Sequence, residues 1–231
     1  MRDTLARGLP EWNIDLDVIP KLVQFAEMVL VRNQVMNLTA ITEPKNVAEL
    51  HLLDSLALLP LAGLANERLV DVGCGAGFPG VPLAVAGPGL HVTLLDSQRK
   101  RVDFLREACH TLGLDNTICV HGRAEEFVQA ERENFDVAVS RAVAALPVLC
   151  ELCLPLVRAG GRMLAMKSSH SEEEISSAEN AVKTLGGRIG WVKDYTIPGT
   201  NVVHRLVCIE KTAACPKKYP RRFALMKKQP L

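Results

Sequence analysis

From Arg68 to Lys167 the chain alternates short apolar runs with amphipathic stretches, and this alternation narrows the folds open to it more than any other feature. The runs RLVDVG, HVTLLD, NTICVHG, FDVAVSR and RMLAMK are apolar enough to be strands buried on both faces. Helical spacing predicts helices between and after them at about 79–87, 98–113, 124–132, 145–158 and 171–186. Strand and helix in this order imply a parallel sheet covered by helices on both sides.

Two more strands are expected at about 189–196 and 202–210, separated only by a turn containing PGTN, so they should pair antiparallel. A mostly parallel seven-stranded α/β sheet with one antiparallel strand is the Rossmann-like arrangement of class I S-adenosylmethionine-dependent methyltransferases. Ahead of it, Ile19, Leu22, Val23, Ala26, Val29 and Leu30 recur at helical spacing over 18–35, with Pro20 in the first turn. A second helix is expected over 47–59, ending before Pro60. The expected organisation is an N-terminal helical extension over 1–66, a methyltransferase domain over 67–210 and a tail over 211–231.

The tail is set apart by charge. It holds Lys211, Lys217, Lys218, Arg221, Arg222, Lys227 and Lys228 and no acid, so the rest of the chain carries a net −6 against +1 for the whole. The run 72–95 lacks formal charge, but its six glycines and three prolines exclude a spanning helix. The N-terminus has no continuous apolar segment of the secretory type, so a cytoplasmic protein is expected. Seven cysteines, most within apolar runs, suit reduced core thiols. Cys150 and Cys153 form a C-x-x-C on an expected buried helix with no second Cys/His pair, so packing is favoured over redox chemistry and no metal is expected.

The first strand runs into DVGCGAGFPG, at the sheet edge where open α/β folds bind ligands. Gly73, Gly75 and Gly77 can take positive φ and let backbone approach a ligand. Two cofactor classes compete. Gly75, Gly77 and Gly80 satisfy G-x-G-x-x-G, and Asp96 follows about 20 residues on, as in a dinucleotide fingerprint. Asp71, however, would repel a pyrophosphate and suits an ammonium and a sulfonium, while Pro79 and Pro82 remove amides that a pyrophosphate would want. Asp96 can accept from ribose hydroxyls in either case. Ala124 and Glu125 begin a helix at the next loop along the edge, where backbone amides can read an adenine.

The loop after the fourth strand reads SRAVAALP. It lacks the Asn/Asp-Pro-Pro-aromatic motif of exocyclic-amine methylation and the cysteine nucleophile of carbon-5 pyrimidine methylation. A ring nitrogen with a free lone pair, such as guanine N7, needs no proton removed, so positioning suffices. Arg141 is suited to holding guanine O6 or a phosphate, against the plainer reading of a surface ion pair. Lys167 ends the fifth strand at the same edge. His51 and Asp54 share one helical face, and a role at the site mouth and a packing role both stand open. The tail, with Tyr219 and Phe223 among its cations, reads as an RNA-phosphate strip carried by Lys217, Lys218, Arg221 and Arg222.

Taken together, the chain resembles the small-subunit ribosomal RNA guanine-N7 methyltransferases, the family of RsmG, also called glucose-inhibited division protein B. The carrying segments are NLTAITEP, HLLDSLAL, DVGCGAGFPGVPLA, LLDSQRKRVDFL, GRAEE, FDVAVSRAVAAL and KKYPRR, in the family's order over most of 37–222. The resemblance implies S-adenosylmethionine bound by Gly73, Phe78, Asp96, the Ala124–Glu125 pair and Arg141. It also implies 7-methylguanosine at position 527 of 16S rRNA as the product, with free rRNA, a precursor particle and the finished small subunit all open as the substrate; a monomer that touches no membrane is expected. Two departures are Lys167–Ser168, where the family often has Lys-Gly, and FALM, where its tail usually continues with glycine and proline. The rival readings are a methyltransferase of another RNA or of a small molecule, an NAD-binding protein, and an inactive ribosome-binding module.

Overall fold

The computed structural model describes all residues, Met1–Leu231. The N-terminal region is helical: α1 (Arg2–Gly8), α2 (Ile19–Met36), and a segment made of α3 (Pro44–Val47), a π-wound stretch (Ala48–Leu53), α4 (Asp54–Leu56) and α5 (Leu58–Ala62). The sheet region follows as β1 (Arg68–Val72), α6 (Gly80–Ala86), β2 (His91–Asp96), α7 (Arg99–Leu112), β3 (Thr117–His121), α8 (Ala124–Glu131), β4 (Phe135–Arg141), α9 (Leu146–Cys153) and β5 (Val157–Ser168). It ends with α10 (Glu172–Ser177), α11 (Glu179–Thr184), β6 (Gly187–Thr196), β7 (Val203–Lys211) and α12 (Phe223–Lys228).

The strand order is β3-β2-β1-β4-β5-β7-β6, with β7 antiparallel to both its neighbours and the remaining pairs parallel. The expected seven-stranded sheet with one reversed strand is therefore present. Its order reverses direction between β1 and β4, which makes the carboxyl ends of those two strands the natural crevice. Parallel register brings Asp96 beside His121 and Arg141 beside Met166 at that edge.

Several boundaries differ from expectation. Pro60 lies inside α5 because a turn at Ala57 restarts the helix, leaving proline in a first turn where its missing N–H costs no bond. The 171–186 helix is divided at Ala178 into α10 and α11. The helix expected to reach 158 ends at Cys153, since Val157 already pairs with Phe135 and an irregularity follows where Gly160 takes φ +83°. Helix α1 had no clear periodic signal.

The N-terminal helices share one continuous core with the sheet: Leu5, Phe25, Leu52 and Leu56 cluster with Leu69, Leu94 and Phe104. The other face of the sheet packs on α9 and α11, and the tail joins that core through Cys215, Tyr219 and Met226. The tail, read from sequence as an RNA-phosphate strip, is in part tied down to the core. Lys211 is buried, its Nζ donating to Glu133 Oε1 and the carbonyls of Leu154 and Val157. Cys150 and Cys153 are buried in α9, and burial pushes both thiol pKa values up. No helix is long and apolar enough to cross a membrane.

Candidate active site

A run of connected cavities follows the carboxyl edge of the sheet. The first, about 280 Å³, is lined by Gly73, Asp96, Gln98, Ala124, Glu125, Val143 and their neighbours. Gly73, Arg101 and Ala142 also line a second of about 230 Å³, which adds His51, Gly75, Phe78 and Arg141. Arg141, His51 and Ala142 lead on to a third of about 510 Å³, bordered by Asp54, Lys167 and His204. Ala142 has φ +56°, an unfavourable conformation for a residue with a Cβ, at the point where all three meet.

The glycine loop is folded back on the second strand. Gly73 N–H and Cys74 N–H donate to Leu95 O at 2.8 and 3.1 Å, and Gly75 N–H donates to Asp96 Oδ2 at 3.0 Å. Gly73 has φ +74°, and a Cβ there would come within 2.5 Å of Val143 Cγ2. Asp96 accepts from Gly75 and, at 2.8 Å on its other oxygen, from Gln98 N–H. A carboxylate offers about four lone-pair positions, so each oxygen keeps one for a ligand hydroxyl.

Asp71 lies elsewhere than expected. It is fully buried beneath the loop and lines none of these cavities; its Oδ2 accepts from Gly80 N–H at 2.8 Å while Oδ1 has no partner. Burial pushes its pKa up to about 7, against the Gly80 bond and the charge of Arg141. The carboxyl therefore braces the loop from below. It also occupies the helix-start amide that a pyrophosphate would need.

Arg141 is held from the N-terminal helices. Its Nη1 donates to Asp54 Oδ2 and Leu50 O, both at 3.0 Å, its Nη2 to His51 Nδ1 at 3.1 Å, and its guanidinium lies 5.5 Å from the Phe78 ring centre. Phe78 stacks on the His51 ring at 4.6 Å. His51 Nδ1 lies 3.1 Å from both Arg141 Nη2 and Leu50 O, and its Nε2 lies 2.7 Å from Thr39 Oγ1, so both ring nitrogens are engaged. Burial and the neighbouring Arg141 lower the His51 pKa to about 4, so the ring is neutral.

Asp54 completes the set. It is fully buried, and its Oδ1 accepts from Tyr195 O–H at 2.8 Å and His204 Nδ1 at 2.7 Å. Burial acts to raise its pKa, but the His204 bond, the Arg141 charge and the Tyr195 bond outweigh it and hold the carboxyl below its ordinary value. The bond to Asp54 raises the His204 pKa. Thr39 lies within NLTAITEP and Ala142 within SRAVAALP, where no pattern singles either out, and Tyr195 and His204 carried no sequence signal; the latter two face each other in the β6–β7 register, far along the chain from Asp54.

The other expected residues divide. Ala124 and Glu125 open α8 on the wall of the first cavity. Lys167 borders the third, but its Nζ is already bonded to Ala144 O at 2.9 Å and Glu174 Oε1 at 2.6 Å. Arg221 is not a free cation: its N–H, Nε and Nη2 all reach the buried carboxylate of Glu151, at 2.6–3.2 Å. Lys217, Lys218 and Arg222 are exposed.

Residues 18–200 match the family described as GidB: rRNA small subunit methyltransferase G. The chain belongs to this family. It is 45% identical to the ribosomal RNA small subunit methyltransferase G of Alkaliphilus metalliredigens (strain QYMF), over 95% of this chain and 93% of that protein. It is 44% identical to the protein of the same description from Alkaliphilus oremlandii (strain OhILAs), over 100% and 99%. Its fold is similar to that of M. jannaschii TYW2 in complex with AdoMet, with a TM-score of 0.52 and 16% identity over 63% of this chain and 69% of that one. The fold is that of class I methyltransferases, and S-adenosylmethionine is the family's cosubstrate. The cleft fits that group: a bare glycine edge at Gly73, a carboxylate with lone pairs to spare at Asp96, and an elongated space leading to Arg141.

Proposed function

We propose that this chain transfers the methyl group of S-adenosylmethionine to N7 of a guanosine in 16S rRNA, the resemblance pointing to position 527 in the decoding-region loop. The donor supplies a methyl group activated on a sulfonium. Gly73 and Asp96 hold the nucleoside part, with the Ala124–Glu125 turn beside it, and Phe78 supports Arg141 and His51 where the cavities join. Arg141 presents a fixed cation to the substrate, suited to guanine O6 or a phosphate.

The observation that carries this reading is the state of the groups around Arg141. Asp54 is fully buried with bonds on both oxygens, His51 is neutral with both nitrogens bonded, and His204 Nδ1 is bound to Asp54. No group there is disposed to take a proton. A ring nitrogen is the acceptor that needs none removed, so alignment and charge suffice.

The three segments divide the work: 1–66 supplies His51 and Asp54, 67–210 binds the donor, and the exposed tail cations Lys217, Lys218 and Arg222 meet RNA phosphate. Lys167 serves the same polyanion from the rim of the third cavity. On this reading the chain acts as a monomer in the cytoplasm, where its rRNA substrate lies. The test is to incubate the protein with labelled S-adenosylmethionine and 16S rRNA or small subunits, then map the label. A single guanosine carrying it at N7 is expected; label on an exocyclic amine or a ring carbon would overturn the reading. Binding of NADH in preference to S-adenosylmethionine would return the dinucleotide alternative.

A further inference from the structure

One wall of the donor cleft is supplied by no strand end. Phe223, the first residue of α12, lines the first cavity together with Arg123, Ala124, Glu125 and Leu152. That cavity meets the Arg141 side at Gly73, Arg101 and Ala142. On its other side it shares Arg123, Glu125 and Phe223 with a groove of about 780 Å³ that runs on to Arg222 and Lys227. Phe223 thus stands at the end remote from the reacting centre, beside the turn that begins α8.

A helix of six residues has no independent stability, so something must seat it. Glu151 does so from α9: it is buried, and its only partners are the three donors of Arg221. Arg132 Nη2 holds Tyr219 O, and Met226 is fully buried in the core beyond. Phe223 is bracketed by these anchors within a few residues on either side. A buried carboxylate committed to a surface arginine is costly unless the geometry it enforces is needed.

We propose that Phe223 is a donor-positioning residue: its aromatic face packs against the adenine of bound S-adenosylmethionine, and the Glu151–Arg221 pair seats it. This rests on the cleft being the donor site. The tail then has two duties, closing the adenine end of the cleft through Phe223 and meeting RNA through its exposed cations.

Calorimetric titration of the full chain with S-adenosylmethionine, and separately with adenosine, tests this without RNA. Phe223→Ala is expected to weaken both ligands by the same factor, on the order of tenfold, as removal of one aromatic–base stack does. Phe223→Leu keeps apolar volume against the core but removes the aromatic face, so it should weaken both as well, with an unchanged melting curve. Leu225→Ala, exposed on the same helix, should change neither. Unchanged affinity in both Phe223 variants, alongside a loss in Asp96→Ala, overturns the role of Phe223 and leaves the cleft assignment standing. Equal loss in Leu225→Ala also overturns it, as a general effect of the tail. Unchanged affinity in Asp96→Ala as well would instead remove the cleft assignment itself.

Discussion

Arg141 Nη1 lies 3.0 Å from Asp54 Oδ2, so the last residue of β4 is fixed by a carboxylate from the N-terminal helices. Asp54 is fully buried while the Arg141 side chain keeps 17% exposure. The charge that faces the cleft is therefore oriented by one that never meets solvent. Asp54 also draws in Tyr195 and His204, so β6 and β7 help to set the aim of Arg141.

Asp54→Asn removes the buried charge but keeps the size. Breaking one side of a buried pair costs about 3–5 kcal/mol, and methyl transfer should fall at least tenfold because Arg141 is no longer oriented. Tyr195→Phe deletes a single bond to the other oxygen of that carboxylate, Oδ1, and should cost only about 1 kcal/mol. Urea unfolding and initial rates measure both; wild-type turnover in Asp54→Asn would remove the carboxylate from any positioning role.

Arg141→Ala should reduce transfer on the order of 100-fold with the fold intact by circular dichroism. Lysine should not restore it. One ammonium cannot reproduce two guanidinium nitrogens shared among Leu50 O, Asp54 and His51 while remaining over the Phe78 ring. Near-normal rates in either variant would show that the cleft cation is dispensable.

His51 and Asp71 make opposite contributions to the pH dependence of stability. The His51 pKa falls on folding from 6.5 to about 4, so between those values the unfolded chain binds more protons and stability rises with pH. The Asp71 pKa rises from 3.8 to about 7, so over the same range the folded chain binds more protons and stability falls with pH. The two largely cancel in the wild type. His51→Gln should therefore lose stability, and Asp71→Asn gain it, as pH is raised from about 4.5 to 6.5, each by roughly 1.4 kcal/mol per pH unit at most. Denaturant midpoints across that window decide the matter, and slopes of the same sign in the two variants would contradict the assignment.

Gly73→Ala places a Cβ 2.5 Å from Val143 Cγ2 at φ +74°. The backbone strain alone is about 1–2 kcal/mol, and relief of the clash would push Val143 into the first cavity, the proposed donor site, which both residues line. Donor affinity should fall at least tenfold. Adding Val143→Ala should restore part of it by removing the clash but not the strain; no recovery by calorimetry would mean that the φ angle is the whole effect.

Adjacent arginines in the tail should behave differently. Replacing Lys217, Lys218 and Arg222 with serine should weaken RNA binding and flatten its salt dependence by about one unit of slope for each phosphate no longer neutralised, leaving the melting temperature near that of the wild type. Arg221→Ala should instead lower stability by about 3–5 kcal/mol, since it strands the buried carboxylate of Glu151. Equal melting temperatures for the two sets would contradict the structural role of Arg221.

The alternation of strands and helices, the paired reversal at the end and the glycine loop could all be read from sequence, because they depend on local period and on backbone freedom at single positions. Asp96 and Arg141 were legible for a related reason: they end strands, and a parallel sheet brings strand ends to one edge. What each charge touches was not legible. Arg221 and Arg222 are neighbours of one type, yet only Arg221 meets a buried carboxylate, 70 residues away in sequence. Asp71 looked like a ligand group and braces the loop from below, while Phe223 looked like part of an RNA strip and lines the first cavity. Partners for Asp54 come from three separate strands, at 87, 141 and 150 residues' distance. Local pattern determines which elements form and which ends meet; pairing between distant side chains is decided only when the packed core fixes which polar groups must be satisfied without water.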